Sequence, residues 1–264
     1  MPFTPNVHYK MLHGFPSSSH QFRSLIGLLG LDFHIVAPDL PGFGFSSHPN
    51  YSDFAYTFDN LANVIENFTE IIGLNKYAIY VFDYGAPVGF RLAMRHPDRI
   101  AAIITQNGNA YEEGLSDAWN PVREYWKEPS NANRDAVRTA LLTYEATKWQ
   151  YIHGVNDTTL IAPESYELDW ALLQRPGIMD IQLDLFLDYA SNLKLYPAFQ
   201  RYFTEKQPKL LAVWGKNNPF FLPAGAEAFW RDLPHAQVFL LDTGHFALET
   251  HGSSIVEHIL KFLG

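Results

Sequence analysis

The sequence predicts an α/β protein with a mostly parallel sheet, helices on both faces and an inserted helical segment. Three observations support this fold class. Short apolar strand patterns alternate with helical ones, the alternation stops over residues 109–205, and it resumes near the end of the chain. Such alternation is typical of a parallel sheet covered on both faces. With 264 residues, 47% of them hydrophobic, the chain has enough apolar side chains for one such core.

Six short apolar runs, each followed closely by glycine, proline or aspartate, mark the predicted strands. They lie at 7–12, 33–37, 77–82, 100–105, 210–214 and 238–241. Helical patterns are predicted between or after these strands, at 17–29, 58–72, 85–95 and 255–263. In the second helix, apolar residues recur along one face at helical spacing: Leu61, Val64, Ile65, Phe68 and Ile72.

The middle of the chain departs from this alternation. Residues 109–205 carry helical patterns without a clear strand and hold four of the six tryptophans. We therefore predict a core formed by residues 1–108 and 206–264, with residues 109–205 inserted as a helical cap between two strands of the sheet.

Composition excludes several kinds of partner and site. A net charge of −9, from 19 basic and 28 acidic residues, argues against nucleic acid or an anionic membrane as a partner. The chain has no cysteine, which excludes disulfides and zinc–thiolate sites. It contains no apolar run of membrane-spanning length and no visible signal peptide, so we expect a cytoplasmic protein, as a monomer or homodimer.

The most informative segment is residues 79–89, Ile-Tyr-Val-Phe-Asp-Tyr-Gly-Ala-Pro-Val-Gly. An apolar strand runs directly into Asp83, and a helix is predicted to begin shortly after Gly85. In a nucleophile elbow, the residue at this turn projects into the active site, and glycine two residues later avoids a clash. An aspartate there can attack carbon and form an ester that water must then cleave. The alternative is an aspartate that caps the following helix.

Further motifs follow the other strands in a specific order. His-Gly-Phe-Pro at 13–16 follows the first strand, Asp-Leu-Pro-Gly-Phe-Gly-Phe-Ser at 39–46 the second, and Gly-His-Phe at 244–246 the last. Together with Asp83, these motifs resemble the α/β-hydrolase superfamily, specifically the branch with an aspartate nucleophile that contains epoxide hydrolases and haloalkane dehalogenases. The resemblance covers nearly the whole chain.

The resemblance implies a role for each of these residues. Asp83 is the expected nucleophile, and His245 is the expected base that activates water against the ester, since neutral imidazole suits proton abstraction near pH 7. The backbone N–H groups of Phe15 and Tyr84 are expected to form the oxyanion hole. His13 is expected to be structural. The family implies no cofactor and no metal.

The third member of the expected catalytic triad is missing from both places where this branch carries it. After the strand that follows the cap, the chain has Asn218, and 24 residues beyond the nucleophile it has Asn107. An amide orients an imidazole without stabilising the imidazolium, and it can hold the wrong tautomer. Glu112, Glu113 and Asp242 are candidates for a substitute acid. We therefore expect ester hydrolysis to be impaired.

The N-terminus is a second departure from the family pattern. Relatives open with a strand hairpin before the His-Gly loop, whereas twelve residues precede His13 here. Lys10 also lies in a predicted buried strand. We therefore expect the N-terminal strands to be shortened.

The residues next to the motifs favour epoxide hydrolysis over dehalogenation. Haloalkane dehalogenases typically hold the halide with a tryptophan after the nucleophile and an asparagine after His-Gly; these positions are Tyr84 and Phe15 here. Fluoroacetate dehalogenases carry arginines after the nucleophile, and those positions are Tyr84 and Pro87 in this chain. Dehalogenation is therefore the alternative to epoxide hydrolysis.

Epoxide hydrolases use cap tyrosines to donate to the opening epoxide oxygen. Tyr189 falls near the second of these tyrosines. The first would align with Val122, so Tyr125, one helical turn later, and Tyr151 are the candidates for it. Each of these tyrosines can instead be a packed aromatic residue.

The predicted pocket lies between cap and core and fits a hydrophobic small molecule. An inactive binding protein that kept the fold is the alternative from another class, although the presence of both Asp83 and His245 argues against it. The residues expected to line the pocket are mostly aromatic: Phe15, Tyr84, Tyr125, Trp149, Phe220 and Phe221.

Overall fold

A computed structural model describes residues 8–264, which form one six-stranded sheet with helices on both faces. The predicted α/β class is confirmed. The strands are β1 (His8–Leu12), β2 (His34–Val36), β3 (Tyr77–Phe82), β4 (Ile100–Gln106), β5 (Leu210–Gly215) and β6 (Gln237–Leu241). Each lies within two residues of its predicted position. Position 7, the predicted start of the first strand, is outside the described residues, as are the residues before it.

The sheet has the order β2-β1-β3-β4-β5-β6, and every neighbouring pair of strands is parallel. Because all strands run the same way, their carboxyl ends meet at one edge of the sheet. The loops that carry Asp83, Asn107, Asn218 and His245 all leave from this edge. Asp83 and His245 therefore lie at the same edge of the sheet, the edge where open parallel sheets bind ligands.

Alternate residues of the strands pack against different helices. On one face, α1 (Arg23–Leu29) and α11 (Ala247–Leu263) cover side chains such as Tyr80 and Val213. On the other face, α2 (Phe58–Ile71) and α3 (Gly85–Arg95) cover side chains such as Ile79. The buried six-residue strand β3 lies between these two layers, which makes it a rigid support for the residue that follows it.

Two helices differ from their predicted bounds. The helix predicted at 17–29 begins as a 3₁₀ turn over Ser19–Phe22, which Ser18 caps by accepting from the His20 N–H. The closing helix begins at Ala247, eight residues earlier than predicted, and is kinked at His251. The sequence pattern detected only the part of this helix beyond the kink.

Between β4 and β5 the described chain consists of helices and the loops that join them, and Leu115 in this segment forms an isolated bridge to Phe221, which follows β5. The helices of this region are α4 (Asn120–Lys127), α5 (Asn131–Leu141), α6 (Tyr144–Ile152), α7 (Pro163–Leu173) and α8 (Ile178–Lys206). We propose, as from the sequence, that residues 109–205 form a cap. Two short helices, α9 (Pro223–Glu227) and α10 (Phe229–Asp232), lie between β5 and β6.

The arginine Arg23 of α1 connects the core to this helical region. It forms an ion pair with Glu249 at 2.7 Å and donates to Ser165 of α7 at 2.9 Å. Within residues 8–264, no helix combines the length and the apolar character needed to cross a membrane.

Candidate active site

Asp83 lies on a sharp turn between β3 and α3, as expected for a nucleophile elbow. Its φ is +49°, in the left-handed region that a residue with a side chain rarely adopts. Two glycines permit the turn. A Cβ at Gly85 would lie 2.1 Å from the Leu12 carbonyl oxygen, and one at Gly14 would lie 2.2 Å from the Asp83 carboxylate. Strain of this kind, of order 1–3 kcal/mol, is concentrated at functional sites.

The two carboxylate oxygens of Asp83 have different surroundings. Oδ1 accepts a hydrogen bond from the Phe15 N–H at 2.6 Å, and the carboxylate also accepts from the Tyr84 N–H. Oδ2 lies 3.9 Å from His245 Nε2. Burial raises the pKa of Asp83 to about 7, although the two N–H donors oppose this shift. Near neutral pH the carboxyl is therefore about half ionised, unlike an ordinary aspartate.

His245 follows β6 on a loop and is almost completely buried among aromatic rings. The nearest rings are those of Phe82, with centroids 4.7 Å apart, and Phe246, at 5.0 Å. Burial lowers the pKa of His245 to about 3. Its imidazole is therefore neutral at physiological pH, and the position of its single N–H proton depends on its hydrogen-bond partner.

That partner is the side-chain amide of Asn218. Its Oδ1 accepts from two backbone N–H groups, Phe220 at 2.9 Å and Phe221 at 3.2 Å. With its oxygen held in this way, the amide directs Nδ2 toward His245 Nδ1, 3.0 Å away. Turning the amide over would place its NH₂ group against both backbone donors and leave them unsatisfied, at about 1–3 kcal/mol for each.

The Asn218 amide therefore determines the tautomer of His245. Because Nδ2 is a donor, Nδ1 must be the acceptor, and the ring proton lies on Nε2. That proton points toward Asp83 Oδ2. A base that removes a proton from water needs the opposite tautomer, with a free electron pair on Nε2.

Asn107, the second expected acid position, is not directed at the imidazole ring. Its Oδ1 accepts from the Gly215 N–H at 2.9 Å, and its Nδ2 donates to the His245 carbonyl oxygen at 2.6 Å. Its φ is +50°. Asn107 therefore joins the ends of β4 and β5 to the histidine loop, a role that requires one acceptor and one donor.

The three substitute acids suggested by the sequence all lie on the surface. Glu112 is exposed, Glu113 pairs with Arg231 at 2.6 Å, and Asp242 pairs with Lys216 at 3.1 Å. Among residues 8–264, the side-chain group at hydrogen-bond distance from His245 Nδ1 is the Asn218 amide. The same residues include no group of three His, Asp or Glu side chains that could hold a metal ion.

A narrow cavity of about 20 Å³, which has room for about one water molecule, lies between Asp83 and the helices α4, α5, α6 and α8. The residues with polar side chains that line it are Asp83, Tyr84 and Gln150. A second, outer pocket at the α5–α6 turn shares Leu141, Gln150 and Phe220 with this cavity. The remaining lining residues of the inner cavity are apolar or aromatic: Phe15, Ala118, Trp119, Val122, Leu141, Phe186 and Phe220.

None of the three tyrosines expected from epoxide hydrolases lines this cavity. The Tyr151 hydroxyl donates to Asp169 at 2.5 Å, while its ring stacks on Phe246 at 3.7 Å. The Tyr125 hydroxyl accepts from Arg134 at 2.9 Å. The Tyr189 hydroxyl lies 3.4 Å from that of Tyr196, although its ring packs against Tyr84.

The cavity contains some of the predicted lining residues and several unpredicted ones. Phe15, Tyr84 and Phe220 line it. Trp149 lines only the outer pocket, and neither Tyr125 nor Phe221 lines the cavity. The prediction missed Ala118, Trp119, Val122, Leu141, Gln150 and Phe186.

The sequence did carry a signal for two of the missed residues. By resemblance to epoxide hydrolases the first tyrosine donor would fall at Val122, and Val122 does line the cavity, but with an apolar side chain. Gln150 directly precedes the predicted Tyr151, and adjacent residues of a helix point about 100° apart. One of the two faces the cavity, and the other stacks on Phe246.

Comparison with known proteins agrees with this geometry. A family model described as the alpha/beta hydrolase fold matches residues 11–252. The chain is 48% identical to an uncharacterized hydrolase of Saccharomyces cerevisiae, over 95% of this chain and 87% of that protein. It is 27% identical to a cis-3-alkyl-4-alkyloxetan-2-one decarboxylase of Shewanella oneidensis, over 96% of this chain and 80% of that one.

A shorter sequence match and two solved structures complete the comparison. Haloalkane dehalogenase 2 of Mycobacterium bovis is 36% identical over 37% of this chain and 33% of its own length. The fold is similar to that of Cfl2 from Burkholderia cenocepacia, with a TM-score of 0.81, 18% identity, and coverage of 98% of this chain and 89% of that one. For the epoxide hydrolase CorEH the TM-score is 0.78, with 17% identity and coverage of 97% and 91%. The sheet order, the elbow and the family match lead to one conclusion: this chain belongs to the α/β-hydrolase fold family.

Proposed function

We propose that this enzyme uses Asp83 as a nucleophile on a hydrophobic small molecule whose leaving group is an oxygen atom, most specifically in epoxide hydrolysis. One observation supports this proposal above the others. Oδ1 of Asp83 accepts from the Phe15 N–H at 2.6 Å, the Tyr84 N–H also donates to the carboxylate, and Oδ2 lies 3.9 Å from His245 Nε2. A carboxylate held by one oxygen presents the other to an incoming carbon atom.

The first chemical step forms an ester on Asp83. Oδ2 bonds to an epoxide carbon while the carbon–oxygen bond of the ring breaks, and the released oxygen takes up a proton that ultimately comes from water. Asp83 must be ionised for this attack, and the apolar lining binds the alkyl part of the substrate.

The second step is attack of water on Cγ of the Asp83 ester: the Cγ–Oδ2 bond breaks, a diol leaves with one of the water's protons on the departing oxygen, and the Asp83 carboxylate is restored. The oxyanion that develops on Oδ1 already lies beside the Phe15 N–H, and the Tyr84 N–H also faces the carboxylate, so the charge is stabilised as it forms. Deprotonation of the water is the weak point, since the Asn218 amide favours the His245 tautomer with its proton on Nε2. We therefore expect ester formation to outpace ester hydrolysis.

Mass spectrometry of the Asp83 peptide tests this proposal directly. The protein is incubated with a terminal alkyl epoxide such as 1,2-epoxyhexane, quenched in acid and digested, with Asp83→Asn as the matched control. An adduct of the epoxide's mass on Asp83, absent from the control, is expected. Tight binding of ligands without any adduct would instead favour the binding-protein alternative.

Dehalogenation is less well supported, because the indole donors near the cavity are already used. The N–H of Trp119 donates to the Phe220 carbonyl at 3.2 Å, and that of Trp126 donates to the Phe186 carbonyl at 2.7 Å. Halide binding in this branch typically uses free indole donors, and the position after the nucleophile is Tyr84.

The Asn218 contact favours a second candidate function, decarboxylation of a 3,4-dialkyl oxetan-2-one, the activity named for the relative from Shewanella oneidensis. Oδ2 would bond to ring C4, and the C4–O bond would break to release a carboxylate. The bond from C3 to that carboxylate would then break, forming CO₂ and a C3–C4 alkene while the Asp83 ester bond breaks. This sequence consumes no water, so it does not need His245 as a base.

A single turnover in H₂¹⁸O separates the two candidates. Ester hydrolysis at Cγ places ¹⁸O in the Asp83 carboxylate, which peptide mass spectrometry detects as a gain of 2 Da per exchange. Decarboxylation places none there and releases an alkene, which gas chromatography detects. We further propose a cytoplasmic monomer or homodimer that binds neither nucleic acid nor membrane.

A further inference from the structure

Two residues that line the cavity each carry a buried polar atom that makes no hydrogen bond to any described residue. One is the Tyr84 hydroxyl, and the other is Nε2 of Gln150. Both side chains are at least 98% buried. A buried polar atom without a partner costs about 1–3 kcal/mol, so native proteins keep such atoms mainly where a ligand or water completes them.

The location of these atoms separates them from the other unpartnered groups of residues 8–264. The unpartnered side-chain atoms elsewhere belong to residues that do not line the Asp83 cavity, such as Tyr9, Gln21 and Asn192. Tyr84 and Gln150 share the cavity with Asp83, on two different elements. Tyr84 directly follows the elbow, and Gln150 belongs to α6 of the cap region, where it also faces the outer pocket.

We propose that Tyr84 Oη and Gln150 Nε2 are the two donors that bind the substrate's oxygen acceptor while Asp83 attacks the neighbouring carbon. This inference rests on the proposed function and specifies its substrate: a neutral molecule with an oxygen acceptor beside an alkyl chain, which describes both an epoxide and an oxetan-2-one. The two residues replace the cap tyrosines Tyr151, Tyr125 and Tyr189, which do not line the cavity. The hydroxyl groups of these tyrosines contact Asp169, Arg134 and Tyr196, respectively.

The chemistry of both groups suits this role. Burial and the nearby Asp83 carboxylate raise the pKa of Tyr84 well above its ordinary value, so its hydroxyl keeps its proton and remains a donor. The Gln150 amide is neutral and forms no other hydrogen bond that would fix its orientation. A carboxylate nucleophile repels a negatively charged oxygen, so donors on the opposite side of the substrate are required to stabilise it.

The test compares two uncharged ligands of nearly identical shape. 2-Octanone carries a carbonyl acceptor, and 2-methyl-1-octene carries a CH₂ group in its place. Calorimetry measures the Kd of each for the full-length wild type, for Gln150→Met and for Tyr84→Phe. Gln174→Met, an exposed glutamine outside the cavity, is the matched control.

We expect the wild type to bind the ketone about tenfold more tightly than the alkene. Each donor variant is expected to lose most of that preference while its Kd for the alkene stays within about twofold; the Gln174 variant is expected to keep the preference. The thermal midpoints of Gln150→Met and Tyr84→Phe should not fall, because each substitution removes an unpartnered buried atom rather than a bond.

An unchanged ketone preference in both variants would overturn the inference, as would equal weakening of both ligands or a wild type that binds neither. The proposed function has a separate readout in the Asp83 adduct. Absence of that adduct together with a ketone preference that depends on Gln150 would refute the nucleophilic role and retain the two donors.

Discussion

The sheet edge and the helical cap region position their residues by different physical means. At the sheet edge, backbone groups hold the side chains: two N–H groups hold Asp83, and two others hold the Asn218 amide oxygen. In the cap region, the rotational phase of each helix decides which of its residues face the cavity. The phase of α6 places Gln150 rather than Tyr151 there. A sequence motif at a strand end therefore predicts where a particular side chain lies. The sequence of a cap helix indicates only which types of residue lie near the site.

The substitution Asn218→Asp is the strongest test of how the sheet edge positions its residues. An aspartate can keep one oxygen on the Phe220 and Phe221 N–H groups and turn the other to His245, where it accepts from Nδ1–H. His245 then has a free electron pair on Nε2. Hydrolysis of the Asp83 ester should accelerate by up to roughly 10⁴, if the effect matches the reverse exchange in a serine protease. Rapid-quench kinetics with the epoxide should show an almost unchanged burst rate, which reports ester formation. The rate of the later phase, which reports ester hydrolysis, should increase.

Asn107→Asp is the matched control, since it makes the same chemical change at the other expected acid position. It replaces an amide donor by an oxygen that faces the His245 carbonyl oxygen, and its oxygens do not reach the imidazole. We expect no acceleration and a loss of about 1–3 kcal/mol in stability. Acceleration by this variant, or none by Asn218→Asp, would contradict the assigned roles of the two asparagines.

Asn107 and Asn218 also show which features of the site can be predicted from the sequence. Both positions were identified from the family pattern, and both lie at the predicted sheet edge. Their difference depends on which atoms each amide contacts. Asn107 contacts backbone groups of Gly215 and His245, which are remote in sequence, whereas Asn218 accepts from Phe220 and Phe221 on its own loop. Spacing along a strand end cannot predict an amide's orientation, because the orientation depends on how the loop folds and on which backbone groups other loops bring near.

In the cap region, the sequence predicts the helical segment but not which of its residues line the cavity. The tryptophan content and helical pattern predict a cap over residues 109–205, and the position where the family's first tyrosine would fall, Val122, lines the cavity. The tyrosines were chosen by residue type, although each has a partner elsewhere in the cap region. Gln150 carries no motif of its own. The sequence marks it only as the neighbour of Tyr151, and the three-dimensional arrangement selects between the two residues.

Ester formation on Asp83 should depend strongly on pH. Burial raises the pKa of Asp83 to about 7, so protonation removes the nucleophile below that pH. The burst rate should fall by roughly 50-fold from pH 7 to pH 5, as the ionised fraction falls from about one half to about one hundredth. Rapid-quench measurements between pH 5 and 8 check this, with circular dichroism to establish that the protein stays folded. A flat profile would indicate that Asp83 has an ordinary pKa.

Asp83→Asn should raise stability above pH 7. The pKa of Asp83 is raised in the folded state, so the wild type loses stability as pH rises from about 4 to about 7 and bears the full cost above that. Asparagine keeps an acceptor for the Phe15 N–H without the buried charge, and it tolerates positive φ. We expect a gain of about 1–3 kcal/mol at pH 8 in urea unfolding, shrinking toward pH 5. A loss of stability at pH 8 would contradict the raised pKa.

The smallest effects are expected from the predicted tyrosine donors of the cap. Tyr151→Phe keeps the stack on Phe246 and removes the hydrogen bond to the buried Asp169, so it should cost about 1–3 kcal/mol of stability. Tyr189→Phe removes only a 3.4 Å contact between two hydroxyl groups and should cost less than about 0.5 kcal/mol. Neither hydroxyl lines the cavity, so the burst rate of Asp83 alkylation should change by less than about twofold in both variants. Urea unfolding and rapid-quench kinetics measure the two quantities on the same preparations. If Tyr151→Phe slowed the burst tenfold while Gln150→Met did not, helix phase would not be what selects the donor, and Tyr151 would take that role.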